Sequence, residues 1–279
     1  MNYAQPANCT NPNQGWRASL SLSFEKGPER TVVRRRHTGP LTIQRPFFPE
    51  NSVAHVYMLH PPGGVVGGDL LTIEASVDEG ASGLVTTPGA TKFYRSKEAS
   101  VSSFSQSLNV QGGSLEWFPQ ENIFFNGCTA NLSTTINADA NAAIALWDIQ
   151  CFGRPAGGEL FRTGSVTNKL KVLVDNNLIF LDRLVINDKH PLSQHTGLGA
   201  QPVTGTLLLN KMTQDACDLV RNLLSGQSSF FVTLVDSLLI LRYIGNSVEQ
   251  SKQGFIQVWK QLRYSLNQRH PSVPRIWAT

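Results

Sequence analysis

The sequence HPPGGVVGGD, residues 60–69, decides the fold of the chain around it. Two prolines and four glycines in ten residues exclude a helix, because proline lacks an amide donor and each helical glycine costs about 1 kcal/mol. The flanking residues 53–59 and 70–77 are rich in types that favour strands. We therefore predict a loop that joins two strands and holds Asp69 at the start of the second.

The glycines of this loop do not indicate a phosphate site. A P-loop carries Lys and Ser or Thr after its last glycine, whereas Asp69 follows Gly68 here and would repel a phosphate. A strand, rather than a helix N-terminus, is predicted to follow. Two interpretations remain: a structural turn whose glycines adopt positive φ, or a functional role for Asp69.

Composition excludes several classes of protein. A chain of 279 residues can bury about 75% of its extended surface without disulfides. Its four cysteines lie far apart with no zinc-site spacing, which is typical of thiols in a reducing compartment. A net charge of +4 is too small to favour nucleic-acid binding. Five arginines within residues 30–45 either meet an acidic surface or belong to a solvated strand and loop.

The termini and the apolar runs argue against export and membrane insertion. Residues 1–14 lack the charged start and apolar core of a signal peptide, and we expect a disordered tail there. The longest apolar run, residues 230–241, is far shorter than the ~20 residues that cross a bilayer. We expect a cytoplasmic protein, without a membrane partner, that folds as a single β domain over residues 15–279.

Alternating apolar and polar residues predict strands along most of the chain. Gly, Pro, Asn or Asp fill most of the gaps, which favours a mainly β fold with many short strands. The spacing fits a sandwich, a barrel or a stacked-coil β-helix equally well. The predicted strands are residues 15–24, 31–36, 53–59, 70–77, 101–110, 130–136, 143–149, 169–174 and 178–186.

Two C-terminal helices interrupt the pattern. Thr213 is placed to cap the first, and Ser247 begins a capping box that opens the second. The second helix is predicted to carry a buried stripe (Val248, Phe255, Trp259, Leu262 and Leu266) and a basic face (Lys252, Lys260 and Arg263). We expect two buried strands between the helices, and a tail after Arg269 that is mobile or docked on a partner.

No catalytic or metal-binding motif is visible in the sequence. The histidines form no H-x-H or H-E-x-x-H pattern, and the G-x-S-x-G motif of serine nucleophiles is absent. In TTPGATKFYRS, residues 86–96, Lys92 lies beside Thr86, Thr87 and Thr91. These residues form either an anion site or a turn with its charges in solvent.

The candidate site residues are single acids in or beside apolar strands. A lone carboxylate there is costly unless it is paired or hydrated. Arg154 and Lys171 are possible partners for Asp182. Otherwise the acids face outward or line water. The five acids are Asp69, Glu121, Asp148, Glu159 and Asp182.

Three motifs in their order and spacing resemble the UreD family of urease accessory proteins, called UreH in some organisms. They are HPPGGVVGGD, TTPGATKFYRS and LEWFPQENIFFNG, the last at residues 115–127. The conspicuous motif residues are His60, Gly63, Gly64, Gly67, Gly68, Thr86, Thr87, Thr91 and Lys92. The resemblance extends over nearly the whole chain beyond the first 14 residues.

The resemblance implies a flattened, β-helix-like stack of sheets and a protein that is not an enzyme. It further implies binding to urease apoprotein with accessory proteins F and G, so that nickel reaches the active site. No tightly bound cofactor is expected, only transient nickel. With that role, the five acids would line a passage for the ion, because weak, spaced oxygen ligands let an ion pass where strong binding would trap it. Two alternatives stay open: an adaptor without metal traffic, and a β-helix carbohydrate-active enzyme that uses two carboxylates as acid and base.

Overall fold

The computed structural model describes residues 15–97 and 100–278, so the expected N-terminal tail lies outside the described residues. In chain order the strands are β1 (Arg17–Lys26), β2 (Thr31–Thr38), β3 (Thr42–Ile43), β4 (Ala54–Leu59), β5 (Leu70–Val77), β6 (Ser82–Thr86), β7 (Thr91–Phe93), β8 (Ser102–Val110), β9 (Ser114–Phe118), β10 (Asn122–Phe124), β11 (Thr129–Ala138), β12 (Ala143–Arg154), β13 (Glu159–Leu160), β14 (Ser165–Val174), β15 (Asn177–Ile186), β16 (Val203–Leu209), β17 (Phe230–Val235) and β18 (Leu238–Gly245). The helices are α1 (Gln214–Leu223) and α2 (Val248–Asn267), with short 3-10 helices at Pro155–Gly157 and Arg275–Ala278.

The strands form two facing sheets. The seven-stranded sheet has the order β15-β14-β11-β8-β5-β1-β2, and its five inner strands are parallel. The eleven-stranded sheet has the order β17-β18-β16-β12-β9-β6-β4-β3, with β7, β10 and β13 beside that path. The chain passes repeatedly from the smaller sheet to the larger, as in β5 to β6, β8 to β9 and β11 to β12. This arrangement of stacked coils confirms the predicted mainly β, β-helix-like fold.

The core between the sheets follows from the alternation in the sequence. In β1, Leu20, Leu22 and Phe24 are buried, while the serines between them face outward. The same period recurs in β5, β8, β11 and β14, so that one side of each strand packs against the larger sheet. The outward side of these inner strands is mostly polar as a result, whereas the edge strand β15 exposes Leu178 and Leu181.

Both helices cover the other side of the larger sheet and form a second core with it. Thr213 and Ser247 cap α1 and α2 as predicted, each accepting a hydrogen bond from a backbone amide. The predicted stripe of α2 is buried, with Val248 partly so. None of the helices in the described ranges is long and apolar enough to cross a membrane.

Two expectations for the C-terminal part are wrong. Arg263 does not belong to an exposed basic face, because its side chain is fully buried and binds Glu116 at 2.7 Å. The tail after Arg269 packs on its own chain, where the Trp277 ring lies 4.8 Å from that of Trp147. Together these contacts hold α2 and the chain end against the larger sheet.

Candidate functional site

Two cavities lie between the sheets, and Asp148 of β12 borders both of them. The first cavity has a volume of about 340 Å³. The second has a volume of about 110 Å³ and continues toward β15 and β18. Asp148 is therefore a wall residue that the two cavities share.

The first cavity opens between two loops of the larger sheet. One loop contributes His60, Gly63 and Gly64, and the other contributes Thr87 and residues up to Lys92, including Thr91. Gly64 is required by close packing, since a Cβ built there would lie 2.2 Å from the Tyr94 ring. Burial lowers the pKa of His60, while the charge of Asp69 acts in the opposite direction, so the imidazole at this mouth is neutral at pH 7.

Asp148 is held by neutral amides rather than by a cation. Its two carboxylate oxygens accept hydrogen bonds from Asn168 and Gln150, both at 2.6 Å. Burial raises the pKa of Asp148 to about 6, the charge of Asp182 acts in the same direction, and the two amide bonds oppose the rise. Asp148 lies deep in the protein, but its side chain keeps partial solvent contact because it borders the two cavities.

Asp182 lines the second cavity near its outer end. Arg242 of β18 binds its carboxylate at 2.7 Å, and both side chains remain about one third exposed or more, at 32% and 41%. The possible partners considered from the sequence were wrong. Arg154 instead pairs with Glu159, and Lys171 lies on the outward side of β14, between the buried Leu170 and Val172.

Comparison with known proteins gives the family. The family model described as UreD urease accessory protein matches residues 16–278. A urease accessory protein UreD from Aliivibrio fischeri is 40% identical over 281 residues, which cover 96% of this chain and 98% of that protein. The protein of that name from Klebsiella aerogenes is 40% identical over 268 residues, 95% and 98% of the two chains. That from Alcanivorax borkumensis is 37% identical over 284 residues, 99% and 96%.

The chain belongs to the UreD family of urease accessory proteins. The three motifs that carry the UreD resemblance converge on the first cavity. Besides the two loops at its mouth, the LEWFPQENIFFNG motif contributes Trp117, Pro119 and Asn122 to its wall. Segments up to about sixty residues apart in the chain thus surround one space, which makes this space the candidate site.

Not every motif residue of the UreD resemblance borders this cavity. Gly68 adopts a φ of +93° and packs against Gly15, and Gly67 packs against Ser100. Thr86 lies beneath the cavity wall, where its hydroxyl donates to the Phe118 carbonyl at 2.6 Å. These residues shape the loops behind the site.

Three of the five acids lie away from the cavities. Asp69 is buried beside the loop, where its oxygens accept from the Trp16 and Val66 amides at 2.8 and 2.9 Å. Both acceptors are therefore used to hold the loop in shape. Glu121 is half-buried and has one oxygen without a hydrogen-bond partner among the described residues. Glu159 is exposed and paired with Arg154.

Neutral polar residues also line the two cavities, and the sequence analysis, which considered only acids, missed them. Gln106 receives a hydrogen bond from Trp117 at 3.1 Å and donates to Thr134 at 3.0 Å. Gln106, Thr134 and Asn168 each stand at an inward, otherwise apolar position of an alternating strand. A polar residue at an inward position of an alternating strand is therefore the sequence signal that would have identified these three residues.

The described residues contain no group of three or more His, Cys, Asp or Glu side chains able to hold a metal ion together. Burial raises the pKa of Cys128 and of Cys151 to about 12, so neither is a thiolate at neutral pH. The chemistry of the site is that of one central carboxylate among amides and hydroxyls.

Proposed function

We propose that this protein is a non-catalytic cytoplasmic accessory factor that binds urease apoprotein with accessory proteins F and G and lets nickel ions pass toward the apoprotein. The observation that carries the proposal is that one carboxylate, that of Asp148, lines both cavities. Nickel is the cargo in this proposal, and residues 15–97 and 100–278 contain no cluster of three or more His, Cys, Asp or Glu side chains that would retain it.

The volume and polarity of the cavities suit a hydrated ion. The cavity volumes of about 340 and 110 Å³ are several times the ~30 Å³ that one water molecule occupies in the liquid. Gln106 and Thr134 in the first cavity, and Asn168 and Thr206 in the second, offer amide or hydroxyl groups to water. A metal ion can therefore keep part of its water shell along this path.

The ligands along the path favour transit over capture. Nickel binds imidazole and thiolate strongly. The two cavities offer one imidazole, that of His60 at the mouth of the first, and are lined by none of the three buried cysteines of the described residues. Asp148 adds a single carboxylate further in, so no two strong ligands stand together. A divalent cation near Asp148 would favour the ionised carboxylate and offset its burial. One acid of this kind supports passage without retention.

A block at Asp148 tests the passage. Asp148→Leu replaces the carboxylate with a branched apolar group between the cavities, so we expect urease co-expressed with this variant to be nickel-poor. Glu159→Leu is the matched control, because Glu159 lies in an exposed ion pair outside both cavities. Nickel per urease active site is measured by elemental analysis, alongside copurification of this protein with urease. Wild-type nickel loading by an intact Asp148→Leu complex would contradict the passage and leave the adaptor role.

We further propose that accessory protein F docks on residues 247–279. The exposed side of α2 carries Lys260 and Tyr264, the latter 52% exposed. Because Trp277 packs on the core, removal of the tail would disturb folding, and surface variants are the better test. Lys260→Glu with Tyr264→Ala should weaken capture of purified protein F, and Lys189→Glu should not. Equal capture by all three proteins would place protein F elsewhere.

The carbohydrate-active alternative is less well supported. An acid and base pair needs carboxylates free to exchange protons with a substrate. Here Asp148 is bound by two amides and Asp182 by Arg242. These contacts favour a path for an ion over a hydrolytic site.

A further inference from the structure

On the outward side of the seven-stranded sheet, strands β1, β5, β8 and β11 form a field of small polar side chains. Strand register places Ser19, Thr72, Ser105 and Ser133 side by side in one row. The next row across the same strands is Ser21, Glu74, Ser107 and Thr135. Such short side chains lose little rotamer freedom when a partner covers them.

Basic residues stand at both ends of this field. At one end Lys169 lies opposite Arg183, and Lys171 is two residues further along the same side of β14. At the other end Arg36 of β2 lies beside Ser21. None of these four side chains pairs with an acid within residues 15–97 and 100–278. The field is therefore bounded by uncompensated positive charge.

The cluster at β14 and β15 keeps its charge because the nearest acid is turned away. Asp182 precedes Arg183 but lines the cavity on the inner side of the sheet, where Arg242 binds it. The pKa of Lys169 is lowered, chiefly by the charge of Lys171 and to a smaller extent by partial desolvation and the charge of Arg183. Mutual repulsion of this kind is relieved when an acidic surface covers the cluster.

The size and pattern of the field fit a protein surface. Strands of eight to ten residues, seven of them spaced ~4.8 Å apart, give a face of roughly 800 Å², which is one side of a standard interface. Glu74 stands in the middle, ~14 Å from β14 and ~10 Å from β2 at that strand spacing. A central acid repels a uniform polyanion but can pair with a basic residue of a mixed protein surface.

We propose that this face docks on urease apoprotein, at a patch whose acidic groups flank a basic one. The inference rests on the proposed function and names the surface and the chemistry through which it acts. The face lies on the opposite side of the sheet sandwich from α2, which covers the larger sheet. One molecule can therefore hold urease apoprotein on one side and protein F on the other.

Charge reversal tests the proposal. The triple variant Lys169→Glu, Lys171→Glu, Arg183→Glu should weaken binding to purified urease apoprotein by at least about tenfold, as three attractive pairs become repulsive. The control Arg45→Glu, Arg162→Glu, Lys189→Glu makes the same charge change at exposed positions outside the field and outside residues 247–279, and should bind like the wild type. Affinity is measured by biolayer interferometry at 50 and 500 mM salt, and the higher salt should weaken the wild type most.

An uncharged variant distinguishes direct contact at the field from a long-range effect of charge on binding. Ser107→Phe places a bulky ring in the centre of the field and should also weaken binding, with melting temperature unchanged because the position faces outward. Failure of the wild type to bind apoprotein would overturn the proposed function itself. Wild-type affinity in both the triple variant and Ser107→Phe would overturn only the docking face. Binding of the wild type to phosphatidylserine vesicles, lost in the triple variant, would reassign the face to a membrane and also overturn the inference.

Discussion

Replacing Asp148 with Asn removes the buried charge at the centre of the candidate site and keeps the shape of the side chain. The folded protein holds the Asp148 proton up to a pKa of about 6, compared with the usual 3.8. A carboxyl with a raised pKa stabilises the fold fully below the usual pKa, and that contribution is lost as pH rises through the folded pKa. Wild-type stability should therefore fall between pH 4 and 7, relative to the Asn variant.

The magnitude follows from the two pKa values. The difference between about 6 and 3.8 corresponds to about 3 kcal/mol at 1.36 kcal/mol per pKa unit. The amide nitrogen introduced by the substitution must face either Asn168 or Gln150, which both donate here. The protonated carboxyl of the wild type meets the same mismatch, because its O–H also faces one of these donors, so this cost cancels between the two proteins at low pH. The two proteins should thus be close in stability at pH 4.5, and the variant should be the more stable by up to about 3 kcal/mol at pH 7.5.

Urea unfolding of both proteins at pH 4.5, 6.0 and 7.5 measures this difference directly. Other titrating groups are common to the two proteins, so they cancel in the comparison. Glu159→Gln is the control, since Glu159 is exposed, and its stability difference from the wild type should vary little with pH. Parallel stability curves for wild type and Asp148→Asn would refute the buried, proton-holding carboxylate.

Three further outcomes follow from contacts outside the cavities. Arg263→Ala should lower the free energy of unfolding by about 3 to 5 kcal/mol in urea titrations, because it leaves the buried Glu116 without its cation; unchanged stability would mean that water or another group replaces it. Trp277→Ala removes the ring contacts of the chain end, and because the ring is half-buried it should lower the free energy of unfolding by about 2 kcal/mol. An unchanged melting temperature in calorimetry would show that the ring does not hold the chain end. Gly64→Ala should lower the melting temperature, and adding Tyr94→Ala should restore part of it, because the new methyl group meets that ring; additive losses in the double variant would exclude the clash.

The sequence by itself determined the half-buried strands and the helices. Alternation in β1, β5, β8 and β11 reports that one side of each strand meets solvent, and this is a local property of the chain. The helix caps are equally local, since Thr213 and Ser247 each bind an amide three residues ahead. The cost of a carboxylate in an apolar strand likewise indicated Asp148 before any contact was visible.

Only the tertiary structure revealed the strands whose two sides are both covered. All five residues of β6 and of β9 are buried, because the core lies on one side and the helices and chain end lie on the other. Such strands have no alternation for a sequence pattern to detect. The same covering explains why Arg263, expected on an exposed face, is buried.

The candidate site also depends on contacts that no local pattern encodes. Asp182 meets Arg242 sixty residues later, and Glu116 meets Arg263 at a separation of 147 residues. Asp148 borders both cavities because stacking brings β12 to face β8, β11 and β14. Sequence patterns report which residue types are costly to bury, whereas the stacking of coils decides which partner, cavity or solvent each one meets.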